Sequence, residues 1–321
     1  MKKIMLTAFI LALSMLIIPF FVSKSEEKEE YGGAAVKSAA AKAESVPARE
    51  TAGESFRIKT KDKTVTLSAD EYITGVVAAE MPLSYGEEAL KAQSVAAYSF
   101  ALYRKGHKTG GDFDLTDSYK TDQSYLDEAA LKEKWGSSFE SNMATLKRIV
   151  EAVSGEYLSF GGEPALALYH SLSPGKTNPC ADVFGSDLKY LVSVNSKSDT
   201  LSPDYKSVVT LSDGEVEKKL SSPADKGGAL KISKTGKSGC VKSVKYGKSS
   251  FTGVKLAGLL GLASPNFTLK HSSGKYTFTC LGRGHGAGLS QYGAGQMASA
   301  GSNYKEILAH YYPGTVLEKN S

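Results

Sequence analysis

From Phe56 to Leu67 apolar and polar residues alternate, with the Lys61-Asp62 pair in the middle. A period of two on either side of a polar pair predicts a β-hairpin. The period then lengthens. Leu67-Ser68-Ala69-Asp70-Glu71-Tyr72 reads as a helix start: Ser68 is the N-cap, Glu71 completes a capping box, and Leu67 and Tyr72 form a hydrophobic staple. The helix is apolar through Gly75-Val-Val-Ala-Ala and ends at Glu80-Met81-Pro82, because the proline disfavours helical geometry at Met81. After Leu83-Ser84-Tyr85-Gly86 a second helix runs from Glu87 to Arg104, ended by Gly106. Its stripe of Ala89, Ala92, Ala96, Ala97 and Phe100 allows close packing on the first helix. Its other face carries Glu87, Lys91, Ser94 and Tyr98, a row that either lines a cleft beside Glu80 or faces solvent.

The remaining pattern mixes both periods. Asp112 to Tyr125 is polar and loop-like. Glu128 to Trp135 and Ser141 to Val153 have helical periodicity. Tyr157 to Phe160 and Ala165 to Tyr169 flank a Gly161-Gly162 turn and predict a hairpin, which delivers His170-Ser-Leu-Ser-Pro-Gly-Lys176 at a strand end. Residues 188 to 256 hold several short, alternating, lysine-rich strand candidates, followed by a helix over Val254–Leu262 and a strand pair over Asn266–Leu281. Gly282-Arg-Gly-His-Gly-Ala-Gly-Leu-Ser-Gln-Tyr-Gly-Ala294 then holds four glycines within seven residues, which permits positive φ and close approach of a ligand. A helix from Leu289 would offer its N-terminus to ligand oxygens. Tyr304 to Tyr312 is the last helix. The fold class expected is α+β, a mixed helical core with antiparallel hairpins.

The N-terminus adds a compartment. Ile4 to Val22 is an almost unbroken apolar run with Lys2 and Lys3 before it and Lys24 after it. It matches the roughly 20 residues that cross a bilayer. Residues 1–24 read as an uncleaved signal anchor, a single N-terminal transmembrane helix with the N-terminus inside; the alternative is a cleaved signal peptide. Residues 25–54 are charged, alanine-rich and almost without branched or aromatic residues, and read as a disordered tether. Residues 55–321 form the extracytoplasmic domain, with a β-rich sub-lobe expected at about 188–280. The first 54 residues balance in charge, so the domain carries the whole net charge of +5. Seven lysines and no acid lie between Lys226 and Lys248, either a patch for anionic wall polymers or lipid headgroups, or a solvated hairpin. The compartment argues against nucleic acid. The odd set of Cys180, Cys240 and Cys280 leaves a free thiol, a metal site or an intermolecular bond.

Glu80 is the residue with the clearest chemical potential. It sits in the last helical turn, where the macrodipole disfavours anions, and its neighbours carry no counter-charge. Both effects raise a carboxyl pKa, as a general acid near neutral pH requires. The alternative is an exposed acid at a fraying helix end. A Ser-His hydrolase using His170 or His285 with Ser171, Ser173 or Ser290 lacks a Gly-x-Ser-x-Gly elbow. A zinc peptidase lacks His-x-x-x-His spacing. A glycosidase ordinarily needs a second carboxylate some ~5–9.5 Å from the first. Only Glu87, Glu88 and Asp182 are candidates, all on other elements. One acid suffices where the sugar brings its own nucleophile, as the 6-hydroxyl of muramic acid does.

Three motifs in this order carry a family resemblance: Glu71-Tyr72 through Gly75-Val-Val-Ala-Ala-Glu-Met-Pro82 with Glu88-Ala-Leu-Lys-Ala-Gln93; His170-Ser171 through Gly175-Lys-Thr177; and Gly284-His-Gly through Ser290-Gln-Tyr-Gly293. The chain resembles the stage II sporulation protein D family, membrane-anchored lytic transglycosylases of spore-forming bacteria, from about Val65 to Pro313. The resemblance implies that Glu80 is the catalytic acid/base, and that Lys91 and the His170–Lys176 segment help form the cleft. On the same ground Tyr98, Ser171, Ser173, His285, Ser290, Gln291 and Tyr292 are substrate-binding candidates. It implies cleavage of peptide-stripped peptidoglycan glycan strands to 1,6-anhydro-muramic products, and a place in the sporulation septum and engulfing membrane with the stage II sporulation proteins P and M. Relatives that enhance cell-wall amidases supply the runner-up, a non-catalytic wall-binding module. Three departures stand out. Tyr98 replaces the usual arginine of Ala-Ala-Arg. Leu172 and Pro174 intrude in the usual His-Ser-Thr-Ser-Gly-Gly-Lys. Some relatives bind zinc near this loop, but His170 and Cys180 are too few for a structural zinc unless Cys240 or Cys280 approaches. No metal or other cofactor is expected.

Overall fold

The computed structural model describes residues 54–108, 111–220 and 228–320. The membrane helix expected over Ile4–Val22 and nearly all of the tether lie outside them. Among the described residues no helix is long and apolar enough to cross a membrane.

The opening hairpin forms as its alternation predicts. Strand β1 (Ser55–Lys59) pairs antiparallel with β2 (Thr64–Ser68), and β1 also takes the short parallel strand β3 (Leu115–Thr116). Helix α1 spans Ala69–Glu80 and opens on the expected capping box, in which Ser68 accepts from the Glu71 N–H and the Glu71 carboxylate accepts from the Ser68 N–H. The box satisfies end groups that would otherwise lack partners. Ser68→Ala should therefore cost about 1 kcal/mol. Thermal unfolding checks this, and an unchanged midpoint would mean the cap adds nothing.

Helix α2 (Glu87–Gly106) lies at the centre of the first core, packed on α1, on strand β4 (Glu156–Phe160) and on the later helices. Its alanine stripe is fully buried, as small residues at a close helix crossing should be. The helix runs on through Gly106 rather than stopping at Arg104, and His107 caps it. Helices α3 (Glu128–Trp135) and α4 (Phe139–Ala152) follow where the periodicity places them. In α1, Gly75 is obligatory: a Cβ there would lie 2.3 Å from the Tyr125 ring. The 118–126 loop thus lies directly on the helix, and the Leu126 N–H donates to the Gly75 carbonyl.

The hairpin expected after Gly161-Gly162 is cut short. Its return strand, β5, is only Glu163–Pro164. Ala165 to Leu168 are buried in tight turns, and Tyr169–His170 (β6) pairs in parallel with Leu289–Ser290 (β13). The following helix, α7, therefore begins at Gln291, two residues later than its sequence suggests, and ends at Ser299. Helix α8 (Tyr304–Tyr311) and strand β14 (Val316–Lys319), which pairs with β4, complete this part.

A second core gathers Val216, Val244, Leu256, Phe278 and Cys280 with their neighbours. Around it lie β7 (Lys206–Ser212), α5 (Asp213–Leu220), a sheet of β8 (Leu230–Thr235), β9 (Val241–Tyr246) and β10 (Ser249–Phe251), helix α6 (Gly253–Leu260), and the pair β11 (Phe267–Ser272) and β12 (Lys275–Leu281). Antiparallel pairing dominates the sheets, and the whole is α+β. Asn178 and Asn266 join the two cores. Their side-chain amides exchange hydrogen bonds at 2.7 and 3.2 Å, and Asn178 also donates to the His285 carbonyl.

Candidate active site

Glu80 is the last residue of α1, and the Met81 N–H closes the helix on the Val77 carbonyl. Its side chain does not fray into solvent. It is partly buried, and its Oε1 accepts the Ser124 N–H at 3.0 Å. Burial pushes its pKa up. The hydrogen bond from Ser124, the Gln291 amide and the Lys134 ammonium pull in the opposite direction without reversing the shift. Lys134 is itself held, donating to the Ala78 carbonyl at 2.7 Å. Desolvation is thus the main cause of the shift.

Glu80 opens into a cavity of about 260 Å³. Gln123 and Ser124 line it from the loop on α1; Tyr169, His170 and Ser171 line it from β6 and the segment that follows. Gly284 and His285 bring the glycine-rich loop to the same space. Tyr119 lines it while remaining 56% exposed, an aromatic face at the rim. Tyr169 donates to Gln123 at 2.8 Å, and Gln123 donates to Tyr72, so a buried polar chain stiffens the wall beside Glu80.

The two histidines are neutral. Burial lowers His170 to about 3 and His285 to about 4. Their rings lie 5.8 Å apart. His170 Nδ1 meets the Ala287 carbonyl at 3.1 Å, which assigns the proton to Nδ1 and leaves Nε2 a bare acceptor, and Nε2 has no partner. His285 Nδ1 accepts the Ala287 N–H. Neither ring is an imidazolium at neutral pH, so neither is a ready general acid.

A second carboxylate, Asp122, also lines the cavity. Its side chain is 1% exposed and is bound by Arg104 at 2.7 Å, by the Thr116 N–H at 2.8 Å and by the Thr116 hydroxyl at 2.9 Å. Its lone pairs are committed to holding α2 against β3. Of the other acids considered as partners, Glu87 binds Arg148 and Lys91, Glu88 binds Lys91 and the Tyr304 N–H, and Asp182 binds Lys242.

Several residues expected in the cleft lie elsewhere. The polar row of α2 does not reach the cavity. Lys91 is paired with Glu87 and Glu88, and the Ser94 hydroxyl bonds back to the Leu90 carbonyl. Tyr98 is buried edge-on against Phe56 and accepts a hydrogen bond from Asn320. The tyrosine in place of arginine therefore bears on packing under the hairpin and not on the charge of the cleft. Lys176 extends away to the Lys237 carbonyl. Ser173 and Ser290 are fully buried and both bond to Asp199. Tyr292 stands edge-on to Tyr85, and its N–H donates to the Ser171 carbonyl. Of the third motif's polar residues Gln291 acts on Glu80: its amide donates to Gln93 at 3.4 Å and helps hold the Glu80 pKa down.

Gln123, Ser124, Tyr169 and Asp199 were not singled out by sequence. The cysteines are all free and buried, and burial pushes Cys180 and Cys240 up to about 12. Among the described residues no group of three or more His, Cys, Asp and Glu side chains is arranged to hold a metal ion.

Comparison with known proteins adds a lineage. The family model described as a stage II sporulation protein (SpoIID) matches residues 57–160, which include Glu80. The chain is 30% identical over 332 residues to the stage II sporulation protein D of Bacillus subtilis (strain 168), covering 99% of this chain and 96% of that protein. It is 34% identical over 258 residues to the stage II sporulation protein D of Bacillus amyloliquefaciens, covering 76% of this chain and 72% of that protein. It is also 28% identical over 303 residues to a B. subtilis protein named amidase enhancer, covering 76% of this chain and 40% of that protein.

Proposed function

The chain belongs to the stage II sporulation protein D family, and we propose that it is a lytic transglycosylase in which Glu80 is both general acid and general base. The observation that carries this reading is one desolvated carboxyl, facing a cavity whose other carboxylate, Asp122, is fully engaged. A two-carboxylate hydrolase needs a second free acid to activate water or attack the sugar. A transglycosylase needs none.

Protonated Glu80 gives its proton to the oxygen between N-acetylmuramic acid and N-acetylglucosamine, and the C1–O4 bond breaks. The muramic 6-hydroxyl attacks C1, the C1–O6 bond forms, and the hydroxyl proton returns to Glu80. Atoms balance with no water added. The Ser124 N–H and Gln291 steady the carboxylate formed midway. The bare Nε2 of His170 is buried in the cavity wall and lacks a partner among the described residues.

The substrate proposed is a peptide-stripped glycan strand. The setting proposed is the outer face of the cell membrane at the sporulation septum and engulfing membrane, reached through the Ile4–Val22 anchor, with the stage II sporulation proteins P and M as partners in wall remodelling. Incubation of the protein with peptide-free glycan strands, followed by mass spectrometry, tests the activity. Ends lacking one water support the reading. Water-added products point to a hydrolase, and tight binding without cleavage points to the amidase-enhancer role that the third relative's name suggests.

The pH profile follows from the sign of the Glu80 shift. The acid must be protonated, so activity persists below its raised pKa and falls as pH rises through it. The alkaline limb should thus lie above the ordinary glutamate value of about 4.3. A profile unchanged into strongly alkaline pH would remove Glu80 from the proton-donor role.

A further inference from the structure

Asp199 is a fully buried carboxyl that the proposed chemistry does not use. It lies in the helical turn Lys197–Leu201. Its Oδ2 accepts the Ser173 N–H at 2.7 Å, the Ser290 hydroxyl at 2.7 Å and the Ser196 hydroxyl at 3.1 Å. Ser196 is held in turn by the Tyr311 hydroxyl at 2.8 Å. Its Oδ1 has no partner, and no Lys, Arg or His pairs with it among the described residues. Burial pushes its pKa up. Burying a carboxyl among neutral donors costs more than filling the same space with apolar atoms. The cost is consistent with a specific geometry being held.

The three donors identify that geometry. Ser173 lies two residues beyond Ser171, which lines the cavity and whose carbonyl receives the Tyr292 N–H. Ser290 is the N-cap of α7 and immediately precedes Gln291, whose side-chain amide donates to Gln93 at 3.4 Å and is near enough to Glu80 to hold its pKa down. The two segments lie far apart in the chain and meet through the two-residue β6–β13 ladder, the Leu172–Arg283 bridge, the Tyr292 N–H to the Ser171 carbonyl and the His170 ring on the Ala287 carbonyl. We propose that Asp199 is a positioning residue, the clasp that locks the serine segment to the start of α7 and thereby holds Ser171 and Gln291 against Glu80.

This inference extends the transglycosylase reading but can be tested without it. The readout is the titration of the Glu80 carboxyl, followed by 13C NMR in the detergent-solubilised full chain labelled at glutamate Cδ, with Glu80→Gln assigning the signal. Withdrawal of the Gln291 amide dipole from the charged form raises the Glu80 pKa. Asp199→Ala should raise it by about one unit, a tenfold gain in proton affinity. Asp199→Asn keeps an acceptor oxygen for the same donors and should restore most of the native value. Lys134, Tyr72, Asp122, Tyr119, Tyr169, His170 and His285 also surround Glu80 or line its cavity, and none of them bonds to Asp199. A Glu80 titration unchanged in Asp199→Ala, whatever the loss in melting temperature, would make the clasp purely structural and overturn the proposal. Should Asp199→Ala fail to fold, Ser290→Ala decides: an upward shift supports the clasp, and an unmoved curve overturns it. If the titration moves but no glycan is cleaved by the parent protein, the transglycosylase reading falls and the clasp stands.

Discussion

Glu80→Gln is expected to reduce turnover of peptide-free glycan strands by about 10²–10⁴-fold, the usual contribution of a positioned general acid–base. Gln is nearly the same shape and can still accept the Ser124 N–H, so packing around the end of α1 is kept. What it cannot do is give a proton to a leaving oxygen. Stability separates this from unfolding. A carboxyl whose folded pKa lies above its unfolded value favours folding only while protonated, and that contribution is lost as pH rises through the folded value. Removing the charge should leave the melting temperature unchanged at acid pH and raise it at alkaline pH. Retention of parental turnover by Glu80→Gln would end the mechanism outright. Lower melting temperatures at alkaline pH would contradict the desolvated environment assigned to the side chain.

The largest expected effect on stability belongs to Gly288→Ala. Gly288 has φ of 73°, and a Cβ there would lie 1.8 Å from the Leu168 carbonyl oxygen. That oxygen accepts the Leu289 N–H at 3.1 Å and the Tyr312 hydroxyl at 2.8 Å. An alanine adds backbone strain of about 1–3 kcal/mol and disturbs two buried hydrogen bonds worth about 1 kcal/mol each. The total is about 3–5 kcal/mol, which lowers the melting temperature by roughly 10 °C for a domain of this size. Gly261→Ala is the control. Gly261 has φ of 75° but nothing within 4 Å of the added carbon, so it reports the strain alone. Calorimetry of both variants checks the difference, and equal losses would mean that the close approach at Leu168 carries no energy.

What was legible in the sequence was local. The capping box, the hairpin about Lys61-Asp62 and the stop at Pro82 each depend on residues close together in the chain, and all form as read. The position of Glu80 followed from them. The α2 row could be read as lining a cleft or facing solvent, because periodicity gives the spacing of polar side chains but not their fate. Glu87 and Lys91 pair near the surface, Ser94 spends its hydroxyl on its own helix and the Tyr98 ring finds apolar partners, so the second half of the row is interior. The cavity wall was not legible because its ladder is two residues long, too short for any period to register. Asp199 had no sequence signal at all. It is one acid in Ser196-Lys-Ser-Asp-Thr200, and only the arrival of Ser173 and Ser290 gives it a role.

The β6–β13 ladder has a consequence for how the protein is made. His170 meets its carbonyl partner on Ala287 across 117 positions of chain. During synthesis, which proceeds at about 5–20 residues per second, Glu80 and the first helices emerge well before the strand that faces them. A nascent polypeptide that ends before Leu289 already contains the residues that line the cavity, but it lacks the strand that pairs with Tyr169–His170. The wall that holds Tyr169 and His170 beside Glu80 is therefore braced only once the C-terminal segments have been made and have docked.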